Sequence, residues 1–248
     1  MSPNGFPFLN MPILTHMEIN LDPKEVVLAL HQGKRAPEEL VVEARETLEE
    51  CQGLLEPRAM YEWIEVQRIQ GEYVFLRSSK HDQPIGLMLG PHADLMSNAR
   101  RALVAAMSIG ERLEGYIDHC NKKGDILKAY LADSIGVVAL AQVGDVIRHV
   151  AETEAQSLGW GVSPSLAPGS LQGWPLTGQR DLYSLVDTGQ IGVTLTESGV
   201  LKPFKSVLSM IGMGPGYPDK KVGAVCHFWH KYSDELGERA LKKGEEQG

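Results

Sequence analysis

Apolar positions along this chain fall at helical spacing in some stretches and in strand-like runs in others. Asp22-Pro23 opens the first helix, an N-cap residue followed by proline at the first helical position. Val26, Val27, Leu30 and His31 follow at helical spacing, and Gly33 closes the segment. A second helix begins near Ala36-Pro37 and runs through Leu40, Val41, Ala44, Leu48 and Cys51 to Leu55. Glu and Arg fill its other face, so it is amphipathic and half buried, with Cys51 on the apolar stripe as a small core residue. Leu113, Tyr116 and Ile117 start a further helix that Gly124 terminates. Asp125 to about Leu158 is the longest periodic stretch, one helix or two with a break near Gly136.

Strand signals lie between these helices. Tyr61 to Ile69 and Tyr73 to Leu76, divided by Gln70-Gly71, predict a β-hairpin. Shorter runs at Ile85–Leu89, Arg101–Met107, Ile191–Thr196, Ser206–Ile211 and Val222–Trp229 read as further strands. From Gly159 to Gly178 the character changes: three Pro, five Gly, three Ser, Trp160 and Trp174 predict a long structured loop. A short helix over Asp181–Val186 follows, and Gly212 to Pro218 reads as a turn region. Without regular βαβ alternation the fold class is α+β. One domain over residues 21–232 is expected, with an N-terminal arm (1–20) and a charged C-terminal tail (233–248).

The chain has 248 residues and 24 Lys plus Arg against 32 Asp plus Glu, a net charge of −8. That balance argues against binding nucleic-acid phosphates or an anionic membrane surface. Cys51, Cys120 and Cys226 are too sparse and scattered for a disulfide framework or an iron–sulfur cluster, and a reducing, cytoplasmic setting fits them. No uninterrupted apolar stretch approaches bilayer-spanning length, and the proline-bearing N-terminus lacks the basic region of a secretory signal. Cys226, His227 and His230 lack an evident fourth ligand and read as a core cysteine beside an aromatic rim, so no metal site is expected. Asp118-His119 followed by Gly124 has the wrong spacing for a cobalt-ligating loop. No GxGxxG after a strand, Walker A or GxSxG sequence occurs, and no catalytic dyad can be chosen by spacing.

One segment is more specific. Ile191 to Val207, IGVTLTESGVLKPFKSV, resembles a strand–turn–strand signature of the activation domain of cobalamin-dependent methionine synthase, particularly its free-standing versions. The departure is at Leu208, where that family has serine. The family's proline-glycine loop, about twenty residues earlier, is matched by Ala167-Pro168-Gly169 with Trp174-Pro175-Leu176 behind it. Pro57-Arg58-Ala59-Met60-Tyr61, Ser108-Ile109-Gly110 and Ala132-Asp133-Ser134-Ile135-Gly136 follow in the same order, so the resemblance covers about residues 20 to 230.

The resemblance implies a C-shaped α+β domain with a central antiparallel sheet flanked by helices. It also implies S-adenosylmethionine as cofactor, and a corrinoid-binding protein or corrinoid methyltransferase as the partner that supplies cobalamin. In that family the domain presents the methyl donor to cob(II)alamin, and exergonic methyl transfer traps the scarce reduced cobalt; the cofactors carry the chemistry and the protein supplies position. The family's ligand loop, Arg-x-x-Pro-Gly-Tyr, aligns with Ser165, Ala167, Pro168, Gly169 and Ser170, which are the candidate cofactor-binding residues. Here serine stands at both the arginine and tyrosine positions, and a family glutamate on the long helix falls near Leu140–Ala141. Serine replaces neither a bidentate cation nor an aromatic face. Gly214-Pro215-Gly216-Tyr217-Pro218 repeats the Pro-Gly-Tyr string but reads as a turn, with Tyr217 able to line the same cleft. Three readings stay open: a reactivation protein that still presents S-adenosylmethionine, a non-catalytic derivative that binds a corrinoid protein or another ligand, and an α+β protein that shares only the fold.

Overall fold

The computed structural model describes residues 12–30, 37–78 and 80–223. Its centre is a seven-stranded antiparallel sheet in the order β4-β3-β2-β5-β9-β6, with β1 also pairing with β2. The strands are β1 (Ile13–Leu14), β2 (Arg58–Gln70), β3 (Tyr73–Arg77), β4 (Ile85–Met88), β5 (Arg101–Ser108), β6 (Gly161–Leu166) and β9 (Ser206–Gly214). A separate two-stranded ribbon pairs β7 (Thr194–Leu195) with β8 (Leu201–Lys202). The helices are α1 (Pro23–Leu30), α2 (Glu38–Cys51), α3 (Arg112–Lys123), α4 (Ile126–Ser157) and α5 (Gln179–Leu185).

β5 explains why the sheet lies in the middle of the molecule. Its residues from Ala102 to Ser108 are all buried. Leu103, Ala105 and Met107 enter a core beneath the long helices, whereas Ala102, Val104 and Ala106 enter a second core on the other face. A strand buried on both faces needs an unbroken apolar run, and that is what the sequence shows. On the helix side, α4 lays Ala132, Ile135, Ala139, Val143, Ile147, Ala151 and Ala155 along the sheet. This row is rich in alanine, which lets the helix approach closely. By length and apolar content α4 would suffice to cross a membrane, and half of its most apolar stretch is buried inside the fold. The opposite core gathers Met60, Ile64, Leu76, Leu87, Trp174, Leu182 and Met210 under the loops and α5.

Several expectations are corrected. The long helix is continuous through Gly136, which serves a close approach rather than a break. A Cβ there would stand 2.8 Å from the Leu113 side chain and 3.1 Å from Lys205. The second helix stops at Cys51 and tightens into a 3-10 turn over Gln52–Leu54. Ile191 belongs to a 3-10 turn, so the strand foreseen over Ile191–Thr196 shrinks to Thr194–Leu195. β9 runs on through Gly214, past the turn expected from Gly212. Glycine is required along this stretch because a Cβ on Gly212 would meet the Met96 sulfur at 2.7 Å, and one on Gly214 would strike the Asn98 carbonyl. In the expected N-terminal arm, Ile13 and Leu14 pair with Met60 and Ala59. Gly33, the strand expected at Val222–Trp229, Cys226, His227, His230 and the charged tail fall wholly or mostly outside the described residues.

Candidate functional site

The segment from Gly159 to Gly178, expected to be a loop, opens with a strand. Gly159, with φ of 70°, turns the chain out of α4, and β6 then pairs with the outer side of β9. Proline hides this strand from sequence reading, because Pro164 has no N–H for the ladder. The register shifts between Val162 and Ser165 to accommodate it. Ser163 bridges the irregularity: its Oγ accepts the Gly212 N–H at 2.8 Å and lies 2.8 Å from the Pro164 carbonyl, to which its hydroxyl donates.

Beyond the irregularity Ser165 stands opposite Ile211, a residue of the helix-side core. Ser165 therefore lies on the α4 face of the sheet, where Leu140 also packs. The chain next bends away through Ala167-Pro168-Gly169-Ser170. The N–H groups of Ser170 and Leu171 donate to the Ala167 carbonyl at 3.1 and 3.3 Å, and Gly169 donates to Trp174 at 2.9 Å. Gly169 has φ of 82°, the left-handed conformation that favours glycine. This turn seats Leu171 and Trp174 in the opposite core. The five candidate residues are thus contiguous in space, with Ser165 on one face of the sheet and the turn closing over the other. Pro168 is buried, Ser165 and Ala167 are half-buried, and Gly169 and Ser170 are exposed.

Three of their backbone donors, Ser165, Gly169 and Ser170, are already engaged. Residues 219–223 run beside β6, so that Val162 donates to Asp219 and Ser165 donates to Gly223, both at 2.9 Å. Glu152 of α4 fastens this strap, accepting from the Val222 N–H at 2.9 Å and from Lys221 Nζ at 2.8 Å. Gly161 makes room for it, since a Cβ there would collide with the carbonyl oxygens of Tyr217 and Asp219. Tyr217 itself stands near the other end of β6, at Gly161 and Gly212, rather than at the 167–170 turn. Its hydroxyl donates to the Leu95 carbonyl at 2.6 Å, and burial raises its pKa well above the ordinary tyrosine value.

The two segments that carry the sequence resemblance are joined by α5. Trp174 is buried beside Gly178, and its indole N–H has no hydrogen-bond partner among the described residues. One turn on, the buried Gln179 donates to Gly199 at 3.3 Å and Arg180 donates to the Glu197 carbonyl. Thr196 Oγ1 accepts from the Val200 N–H at 3.0 Å and lies 2.9 Å from Ser198 Oγ. The Thr-Glu-Ser-Gly motif therefore forms a rigid turn held by α5, and nothing in its spacing marked Gln179 and Arg180 as its holders.

Two cavities lie elsewhere. One of about 510 Å³ is lined by Met17, Ile19, Leu21, Leu48, Gln52 and Pro57, among others; the second, of about 380 Å³, lies at Glu43 and Gly124–Lys128. Neither is lined by residues 165–170. Among the described residues, no cluster of His, Cys, Asp and Glu could hold a metal ion.

No family model matches the chain, and no curated protein matches it. Among solved structures, the crystal structure of the MetH reactivation domain bound to AdoHcy is similar, with a TM-score of 0.56 at 15% identity. The likeness covers 88% of this chain and 82% of that one. The fold is therefore that of the reactivation domain: a mixed helix and antiparallel-sheet domain.

Proposed function

We propose that this chain is an accessory protein of a corrinoid-dependent methyltransferase system, built on the reactivation-domain scaffold, that does not grip S-adenosylmethionine through residues 165–170. The observation that carries this reading is the state of that loop. The arginine and tyrosine positions hold Ser165 and Ser170, the position on the long helix is at Leu140–Ala141, and the N–H groups of Ser165, Gly169 and Ser170 donate within the chain. A charge-assisted contact is worth about 1.5–3 kcal/mol, so losing two lowers affinity by roughly 10²-fold or more. These residues do not fit the methyl donor, and no methyl-transfer step is assigned to them. The partner on this reading is a corrinoid protein, as the resemblance of residues 191–207 implies.

A second reading is favoured by one finding: the similar structure was solved with AdoHcy bound. On that reading the chain still presents S-adenosylmethionine for reductive methylation of cob(II)alamin, through contacts outside the loop. Titration calorimetry separates the two. The first reading expects no heat with S-adenosylmethionine or AdoHcy, and a complex with a free-standing corrinoid-binding protein in sedimentation velocity. Micromolar binding of either small molecule establishes the second, and absence of any complex with the corrinoid protein defeats the first.

A further inference from the structure

Among the described residues, helix cover on the α4 face of the sheet ends halfway across it: α4 packs on β2, β5, β6 and β9, whereas α5 meets β4 from the opposite face. Strand register lays out what this open face presents. Across β2, β3 and β4, Arg68 is level with Phe75 and Gly86, and Tyr73 is level with Met88. Val74, Leu76 and Leu87 alternate with them and enter the core on the other side. Glu65 and Arg77 are paired in the same register on the open side.

These side chains are organised. The Arg68 guanidinium lies 4.0 Å above the Phe75 ring, and the Tyr73 ring is 6.3 Å from Phe75. Gly86 lets the Phe75 ring lie close over the β4 backbone, since a Cβ there would stand 3.1 Å from the ring. Tyr73 is 43% exposed and Met88 38% exposed. Nearer the helices, Arg101 lies 4.8 Å over Trp63 and pairs with Glu154 at 2.9 Å. Arg68 and Arg77 are exposed and have no carboxylate partner among the described residues.

We propose that this face docks an acidic segment of a partner protein, one that carries a leucine or aromatic side chain between carboxylates. Aromatic residues, methionine and arginine are what protein interfaces concentrate at their centres. A guanidinium held flat on a ring keeps its N–H edge free, pre-organised for a bidentate carboxylate. Arg68, Arg77 and Arg101 outnumber Glu65 and Glu154, which makes this face cationic on a chain whose net charge is −8. The apolar side chain of the partner seats against Phe75 and the exposed Tyr73 and Met88. The assignment rests on this face alone and holds whatever cofactor the partner carries.

The test is fluorescence anisotropy of the whole chain with a dye-labelled peptide that alternates aspartate with leucine and phenylalanine. A counterpart with lysine for aspartate and a thymidine oligonucleotide are run beside it. The acidic peptide binds, its affinity falls as salt rises, and Arg68→Glu with Arg77→Glu weakens it at least about tenfold. Tyr73→Ala weakens it as well, and both variants keep the thermal unfolding of the parent because they alter exposed side chains. No binding of the acidic peptide at about millimolar concentration, or equal binding by the arginine variant, overturns the proposal. So does preference for the lysine peptide or the oligonucleotide, or a dimer of the chain that the arginine variant dissolves.

Discussion

Lys205 Nζ lies 2.6 Å from the carboxylate of Asp133, tying the residue just before β9 to the N-terminal third of α4. Lys205 is only 9% exposed, while the Asp133 side chain is 47% exposed. The pair is therefore asymmetric: removing the aspartate strands a buried ammonium, whereas removing the lysine leaves a carboxylate that water reaches. Asp133→Ala is expected to cost about 3 kcal/mol, and Lys205→Met less than about 1 kcal/mol. Urea unfolding of the two variants measures this, and equal losses would show that the burial does not set the energetics.

The strap over β6 depends on the missing side chain at Gly161. Gly161→Ala is expected to push residues 217–223 off the strand without unfolding the sheet, because the clash is with the carbonyls of Tyr217 and Asp219. Amide exchange then accelerates at Val162 and Ser165, which donate to Asp219 and Gly223. Unchanged protection at those two amides would mean that the strap does not guard them.

Cys51 is fully buried, and burial pushes its thiol from the ordinary value of 9.0 up to about 12. The folded chain holds this proton more tightly than the unfolded chain. The associated stability is complete below pH 9 and is lost as pH rises from 9 towards about 12. Thermal unfolding between pH 8 and 11 should decline less steeply in Cys51→Ala than in the parent. Rapid alkylation of native Cys51 at pH 8 would contradict the buried state.

Restoring the family's side chains tests the loop alignment directly. Ser165→Arg combined with Ser170→Tyr is expected to raise affinity for S-adenosylmethionine by roughly 10-fold or more, since one charge-assisted contact supplies about that much. Calorimetry reads the change. Affinity that stays where it was would mean that residues 165–170 do not line a ligand site on this scaffold.

Much of the architecture was legible from local pattern. The hairpin between β2 and β3, the apolar run of β5 and the caps at Asp22 and Gly124 each carry their own signal. β6 was not legible, because Pro164, the serines and the register shift erase the alternation that marks a strand. The continuation of β9 through Gly212 to Gly214 was missed for a related reason: those glycines answer to Met96 and Asn98, which lie more than a hundred residues earlier in sequence. For the candidate site, the sequence revealed which side chains stand at 165–170 but not that a strap occupies their backbone. That pairing is made by Asp219, just past the expected turn, and by Gly223, at the start of the strand expected over Val222–Trp229, and no local pattern shows that they lie against β6. The open arginine–aromatic face was equally hidden, since it exists only once Arg68, Phe75 and Gly86 are brought level by three strands.

The place of β5 in the sheet has a consequence for synthesis. β2, which precedes β5, can pair with it early, but its other neighbour is β9, about a hundred residues further along the chain. A strand buried on both faces must therefore leave the ribosome and wait, one margin bare, until the hundred residues that lead to β9 have emerged. Translation that stalls between α4 and β9 would release a nascent chain with its most apolar strand half satisfied, the kind of species that chaperones exist to shelter.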